Sequence, residues 1–258
     1  MIPVTPAIPS SPVSLRPIPD LTPGPGRQPL DTGRAGLPCG ARLSAEARPA
    51  AMVALSITDP CRPDTNLILS HGGLSITVTT DPMGAAEIVM PAFADPAAFT
   101  VQIGQGDPLV ASVAVPDIAD FHRVAIQWSG PEDLRLRASE RGARPGERGH
   151  IWRENPGAMA DAVLGLGGFH TAIGTGQARA EIYTFPADAL GGAGLVRFSV
   201  DVTTPYAACG DVARARLLQA GPDAPGASSV DLAFALPDCG APLLVLQNVF
   251  RDLRIAAD

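Results

Sequence analysis

The sequence predicts an all-β protein in which two tandem antiparallel β-sandwich domains follow a disordered, proline-rich N-terminal segment. Three observations predict this class. Apolar and polar residues alternate with a period of two through most of the chain after residue 38. Glycine and proline, 27 of each among 258 residues, interrupt the alternating runs at short intervals. Four cysteines fall in two pairs, and each pair brackets one stretch of alternating residues.

Composition divides the chain into three parts. Residues 1–38 are dense in proline and lack periodicity, so we expect a disordered tether, because each proline removes a backbone donor and fixes φ. Residues 39–119 form the first predicted sandwich. Residues 120–258 form the second, which carries long irregular loops.

The first sandwich is predicted from short alternating runs joined by turns. Its apolar positions are Val53, Leu55, Ile57, Leu67, Leu69, Leu74, Ile76, Val78, Phe99, Val101, Ile103, Leu109, Ala111, Val113 and Val115. Asp81-Pro82-Met83-Gly84 has the residues of a type I turn, and we expect it to close a hairpin. A second turn is predicted at 104–108, and the domain ends near Pro116.

The second sandwich begins with Val124, Ile126 and Trp128, whose shared parity predicts that Trp128 points into the core. Leu134 and Leu136 then face inward. The glycine-rich run VLGLGGFHTAIGTGQA predicts irregular loops, whereas AEIYTFP, LVRFSVDVTT and VDLAFALPD predict strands. DVARARLLQA is compatible with a short helix or a strand, and LLVLQNVFRDLRIA predicts the last strand.

Charge and hydropathy exclude two classes of function. A net charge of -7, with arginines scattered rather than gathered on one face, argues against nucleic-acid binding. No run of about 18 apolar residues is present, so no membrane span is predicted. The first residues show no basic region followed by an apolar one, and we expect that an export signal precedes the sequence given.

The cysteine pairs predict disulfide bonds between Cys39 and Cys61 and between Cys209 and Cys239. A metal site is the alternative, but there is no CxxC spacing and no histidine close by in sequence. Disulfides persist in oxidising compartments, so the predicted location is periplasmic or extracellular.

Several motifs also resemble known families. The run from Cys39 through AMVALSITDPC, LILSHGGLSITVTTDPMG and IVMPA resembles transthyretin-like and carboxypeptidase-regulatory-like sandwiches, in which a strand ending in T-D-x-x-G turns into a second strand. Over its length after the linker, the chain resembles exported alphaproteobacterial β-sandwich proteins, some of which carry the label translocase. The landmarks of that resemblance are PCRP, SHGGLSITVTTD, GHIW, EIYTFP and LVLQNVFRDL.

The resemblance implies fold and compartment rather than an activity. The chain has neither a nucleotide-binding loop nor membrane spans to support the translocase label. The segment DLRLRASERGARPGERGHIW followed by EIYTFP also resembles envelope β-sandwich modules with a D-L-x-L…IW…E-x-Y-T-F-P pattern. Those modules often carry a second acidic residue where this chain has Arg135, so a shared calcium site is in doubt.

No metal or cofactor site is predicted. The four histidines, His71, His122, His150 and His170, share no metal-ligand spacing, and we expect them to be satisfied by hydrogen bonds. Acidic residues near turns offer oxygen ligands for calcium, but no D-x-D-x-D-G loop is present, and we expect solvated turn carboxylates. These acidic residues are Asp81, Glu132, Asp133 and Glu140.

The leading hypothesis is a non-enzymatic envelope protein that binds another protein or assembles with itself. Its expected interaction surface is the arginine-rich segment, with the residues Arg141, Arg144, Arg148, His150 and Trp152. The alternative is a glycan-binding module that uses Trp152 and other exposed aromatic residues among Trp128, Tyr183 and Tyr206. A metal-dependent hydrolase comes third, because no catalytic motif is present.

Overall fold

Two β-sandwiches make up the part of the chain that the computed structural model describes, which is residues 32–33, 36–222, 224–241 and 243–255. The predicted all-β antiparallel class is confirmed. Most of the predicted linker, residues 1–31, lies outside the described residues. No helix in the described ranges is long and apolar enough to cross a membrane.

The first sandwich consists of seven described strands in two sheets. The strands are β1 (Arg42–Arg48), β2 (Met52–Thr58), β3 (Asn66–His71), β4 (Leu74–Thr79), β5 (Ala85–Pro91), β6 (Ala97–Gln102) and β7 (Leu109–Val113). One sheet has the order β1-β2-β5 and the other β4-β3-β6-β7, with every neighbour antiparallel. A short 3₁₀ helix, Pro116–Asp120, leads to the second sandwich.

The second sandwich pairs a central sheet, β11-β12-β8-β14-β15, with an outer sheet, β10-β9-β13-β16, in which β17 also pairs with β13. Its elements are β8 (Phe121–Trp128), β9 (Asp133–Glu140), β10 (His150–Ile151), α1 (Met159–Val163), β11 (Phe169–Ile173), β12 (Arg179–Pro186), β13 (Gly194–Thr203), β14 (Val212–Gly221), β15 (Ala224–Ala235), β16 (Leu244–Gln247) and β17 (Leu253–Ile255). A 3₁₀ turn, Tyr206–Ala208, precedes β14.

Both faces of the central sheet are buried at β8 and β12. The face that carries Val124, Ile126 and Trp128 packs on the outer sheet. The opposite face carries Ala125 and Leu218, which belong to the same apolar cluster as the core of the first sandwich. The core of the first sandwich therefore includes one face of this sheet, while a separate core lies between the central and outer sheets.

The turn at Asp81 forms as expected, but the predicted hairpin is wrong. Gly84 N donates to Asp81 O at 2.9 Å, and Asp81 Oδ1 accepts from the amides of Met83 and Ala85. The strands on either side belong to different sheets, since β4 pairs with β3 and β5 pairs with β2. Asp59 N donates to Gly84 O at 2.7 Å, which extends the β2–β5 ladder and draws the chain across to the other sheet.

The structure also decides the secondary structure of three runs in the second sandwich, namely the glycine-rich run, DVARARLLQA and the C-terminal run. The glycine-rich run is not wholly irregular, because it contains β11 and the end of α1. DVARARLLQA is the strand β14. The C-terminal run forms two strands rather than one, and both pair with β13.

Candidate functional site

The arginine-rich segment runs from the end of β9 through a loop to β10 and borders a groove of about 350 Å³. Arg141 and Arg148 line this groove, and Arg144 is exposed outside its lining. Arg141 donates to the carbonyls of Leu190 at 2.6 Å and Gly192 at 3.2 Å. Its guanidinium therefore fastens a loop rather than standing free for a partner.

Arg148 and His150 are also engaged within the chain. Arg148 Nη2 donates to Asp161 Oδ2 at 2.8 Å, although the side chain is largely exposed. His150 is only 6% exposed. Burial and the charge of Arg137 lower the pKa of His150, against the opposing charge of Asp201.

Trp152 is half-buried, and one face of its indole ring is covered. The guanidinium carbon of Arg137 lies 3.8 Å from the ring centroid, and Arg137 Nε lies 2.5 Å from Asp201 Oδ2. A sugar could stack only on the other face of this ring. Of the remaining aromatic candidates, Trp128 and Tyr183 lie in the core, as Trp128 was predicted to, whereas Tyr206 is 87% exposed.

The side of the second sandwich where β9 and β10 face β11 and β12 is here called the polar edge. Glu140 lies at its centre and lines the groove. Glu140 Oε1 accepts hydrogen bonds from Tyr183 Oη and from Gly168 N, both at 2.8 Å. Burial raises the pKa of Glu140 although both hydrogen bonds favour the carboxylate, and burial together with the Glu140 charge raises the pKa of Tyr183.

Glu181 is the most buried acidic residue of the polar edge, with no exposed surface. Its Oε1 accepts from Arg153 Nε and its Oε2 from Leu136 N, both at 2.6 Å. His170 Nε2 lies 3.1 Å from Oε2. These contacts tie the central sheet to the outer sheet. Glu181 was not among the predicted site residues, although its parity with core-facing Tyr183 and Phe185 marks it as buried.

The four acidic residues considered as calcium ligands, Asp81, Glu132, Asp133 and Glu140, each make their own local contacts. Asp81 holds its turn, and Glu140 holds Tyr183. Burial would raise the pKa of Asp133, but hydrogen bonds from Arg153 and Arg135 lower it overall. Glu132 is buried beneath the β8–β9 turn. The expectation of solvated carboxylates is therefore wrong for Glu132 and Glu140.

The histidines do not assemble into one site. His71 accepts from Phe93 N through Nε2 at 2.9 Å and lies 2.8 Å from Ala98 O through Nδ1, so both ring nitrogens bond to the backbone. Burial is the main cause that lowers the pKa of His71. Among the described residues, no group of three histidine, cysteine, aspartate or glutamate side chains is placed to hold a metal ion.

Both predicted cysteine pairs are joined. Cys39 bonds to Cys61 and Cys209 to Cys239, with Cα–Cα distances of 5.4 and 5.2 Å. The first bond fastens the chain before β1 to the loop after β2. The second fastens the loop before β14 to the loop after β15, so it lies at one end of the β14–β15 pair.

The opposite side of the second sandwich, formed by β15 and β16, is here called the apolar edge. Within the described residues, β15 pairs only with β14, and β16 only with β13. Val230 on β15 is 62% exposed, although its cross-strand partner Leu217 is buried. Val245 on β16 is 41% exposed, and four further apolar residues are only partly buried, namely Leu232, Phe234, Leu244 and Leu246.

No protein-family model matches this chain, and no curated protein is significantly similar to it. The resemblance to exported β-sandwich proteins and to transthyretin-like domains therefore stays a prediction.

Proposed function

We propose that this chain is a non-enzymatic, exported protein of the cell envelope that assembles with a second copy of itself through the apolar edge. The observation that carries the proposal is β15, a twelve-residue strand whose outer side has no partner in the described chain. An open strand edge presents unpaired N–H and C=O groups that template the addition of another strand.

The composition of β15 favours pairing. Proteins commonly protect an edge strand with lysine, proline or charge. After Pro225, the strand has a single charged residue, Asp231, which is already paired with Arg216 Nε at 2.8 Å. The edge therefore carries no uncompensated charge against association.

A two-fold arrangement suits the order of residues on β15. In an antiparallel pair centred on Leu232, Val230 of each copy lies opposite Phe234 of the other. These residues share the inner face of the strand, so the partly buried apolar surface becomes continuous between the copies. Asp231 lies opposite Ala233, which avoids contact between like charges. An isologous contact of this kind closes at the dimer.

The non-enzymatic and exported character has separate support. The buried carboxylates Glu140 and Glu181 are used in bonds that hold strands together, as described above. Two disulfide bonds suit an oxidising compartment such as the periplasm or the exterior of the cell.

The test is the oligomeric state of the full chain, measured by sedimentation velocity over a range of concentrations. We expect a dimer in the native protein. Val230→Lys should weaken the dimer by about tenfold or more, because two ammonium groups enter an apolar contact. Val212→Lys is the matched control, since Val212 is 63% exposed and lies on β14 rather than on the edge.

A native chain that stays monomeric at every concentration would overturn the self-assembly proposal. Equal weakening by Val230→Lys and Val212→Lys would also overturn it, because the contact would then lie elsewhere. Far-ultraviolet circular dichroism of both variants verifies that each retains the fold.

A further inference from the structure

Arg123 is a fully buried cation without an ionic partner. It lies on β8, on the face of the central sheet that packs against the first sandwich, and it is 1% exposed. None of the ion pairs in the described chain includes it. The charge of Asp117 favours the cationic form of Arg123, but the two side chains do not bond to each other. Asp117 Oδ2 instead accepts a hydrogen bond from Ala51 N at 2.8 Å.

Only one of the three guanidinium nitrogens of Arg123 is satisfied. Nη2 donates to Ala50 O at 2.9 Å and to Ala51 O at 3.0 Å. Both alanines have left-handed backbone angles, with φ of 63° and 48°, in the turn between β1 and β2. Nε and Nη1 have no hydrogen-bond partner.

A buried charge of this kind is unfavourable unless it is paired. Removing an arginine from water is costly, and unsatisfied donors add to that cost. Burial lowers the pKa of Arg123 to about 9, and the charge of Asp117 opposes this shift. The side chain therefore remains cationic at neutral pH.

Arg123 also lines a cavity of about 270 Å³ between the two sandwiches. The walls around it are mostly apolar and include Phe93, Ile118 and Phe121. Ala119 and Asp95 line the same cavity and are exposed, which places them towards solvent. The volume lies just below the usual range for ligand pockets, which indicates a small ligand.

We propose that this cavity binds a small organic carboxylate, whose anionic group bonds to Arg123 and whose compact apolar body contacts the aromatic walls. Nε and Nη1 are buried and have no partner, so a carboxylate that displaces the wall around them can accept a charge-assisted hydrogen bond from either atom. The negative charge of Asp95 disfavours ligands with more than one negative charge. Phosphate should therefore bind more weakly than a monocarboxylate.

The test uses benzoate as the probe and isothermal titration calorimetry of the full chain. We expect benzoate to bind at millimolar concentration or below, and its neutral methyl ester to bind about tenfold more weakly or worse, since the charge-assisted bond is lost. The ¹⁵N resonance of Arg123 Nε, assigned by its loss in Arg123→Met, should shift as benzoate is added.

Two variants address the site. Arg123→Met removes the charge and keeps the length of the side chain, and Ala119→Phe blocks the cavity from an exposed position. Each should abolish benzoate binding. Arg197→Met, which removes an exposed arginine from the outer sheet, is the control and should bind as the native chain does.

Absence of benzoate binding to the native chain would overturn the proposal. Equal binding of benzoate and its methyl ester would also do so, because the cation would then play no part. If Arg123→Met does not fold, Ala119→Phe decides, and unchanged binding by that variant excludes this cavity.

Discussion

Glu181, Glu140 and Arg123 are buried charged residues that differ in how far their neighbours compensate the loss of water. Glu181 has an arginine and a backbone amide on its two oxygens. Glu140 has two neutral donors on one oxygen, and burial still raises its pKa. Arg123 has two carbonyls on one nitrogen and nothing on the others. The partners that replace lost water are therefore most complete at Glu181, less complete at Glu140 and least complete at Arg123.

Replacing Tyr183 with phenylalanine should destabilise the protein in a manner that depends on pH. The change removes the hydroxyl that donates to Glu140, and we expect a loss of about 1 to 3 kcal/mol in the free energy of unfolding at pH 7. The folded-state pKa of Glu140 is already raised above the ordinary glutamate value of 4.5. Removal of a donor that favours the carboxylate raises it further.

Proton linkage gives the direction in which this loss of unfolding free energy changes with pH. A carboxyl group whose folded pKa is raised contributes stability that is complete below about 4.5 and is lost as pH rises through the folded pKa. The loss caused by Tyr183→Phe should therefore be smaller at pH 4 than at pH 7. Urea denaturation at both values checks this, with exposed Tyr206→Phe as the control. A loss that does not change with pH would contradict the conclusion that the Tyr183 hydroxyl stabilises the carboxylate form of Glu140.

At the scale of single elements, alternation predicts strands well where each strand has one face on a core. β2, β8 and β9 follow the alternating runs, and Trp128 points inward as predicted. β11 was not predicted because glycines surround it and because buried His170, which shares a face of the sheet with Tyr183, stands between the buried apolar residues Phe169 and Ile173 of the opposite face. Binary patterns treat such a residue as polar and exposed.

The candidate site was less predictable than the strands. The arginine-rich segment drew attention through its composition, but Arg141 and Arg148 are held by contacts from residues far along the chain. Those contacts depend on which loops the fold brings together. Arg123 gave no signal, since one arginine in an alternating strand is ordinarily a solvent-facing residue. Only the packing of the first sandwich on the central sheet buries it.

Gly84 is the residue on which the crossing between the two sheets of the first sandwich depends. Its φ is +77°, and a Cβ added there would lie 2.7 Å from the carbonyl carbon of Asp59. Gly84→Ala should lower the free energy of unfolding by about 1 to 3 kcal/mol from backbone strain, with a further loss from the clash.

Gly142→Ala separates the two causes. Gly142 has the same φ of +77°, and nothing lies within 4 Å of an added Cβ. It should therefore show the loss from strain alone in urea denaturation. Equal losses for the two variants would mean that the turn relaxes away from Asp59, and that the crossing does not require glycine for close approach.

At the scale of the whole molecule, the core between the first sandwich and the central sheet decides whether the two sandwiches behave as separate domains. The 3₁₀ helix Pro116–Asp120 carries the chain from one sandwich to the next. Phe121, Ala125 and Leu218 of the second sandwich nevertheless belong to the apolar cluster of the first. A second sandwich without the first would expose this face, so we expect one cooperative unit.

Leu136→Ala tests this expectation, because the substitution lies in the core between the central and outer sheets while its effect is read in the first sandwich. Leu136 is 1% exposed and belongs only to the core between the central and outer sheets. Its truncation should cost about 2 to 5 kcal/mol. In a single cooperative unit, the slowest-exchanging amides of β2 and β3 lose the same free energy of protection, although neither strand contacts Leu136 in the core cluster. Hydrogen exchange with mass spectrometry measures this. If β2 and β3 keep native protection while β9 and β13 lose theirs, the sandwiches unfold separately and the shared face does not couple them.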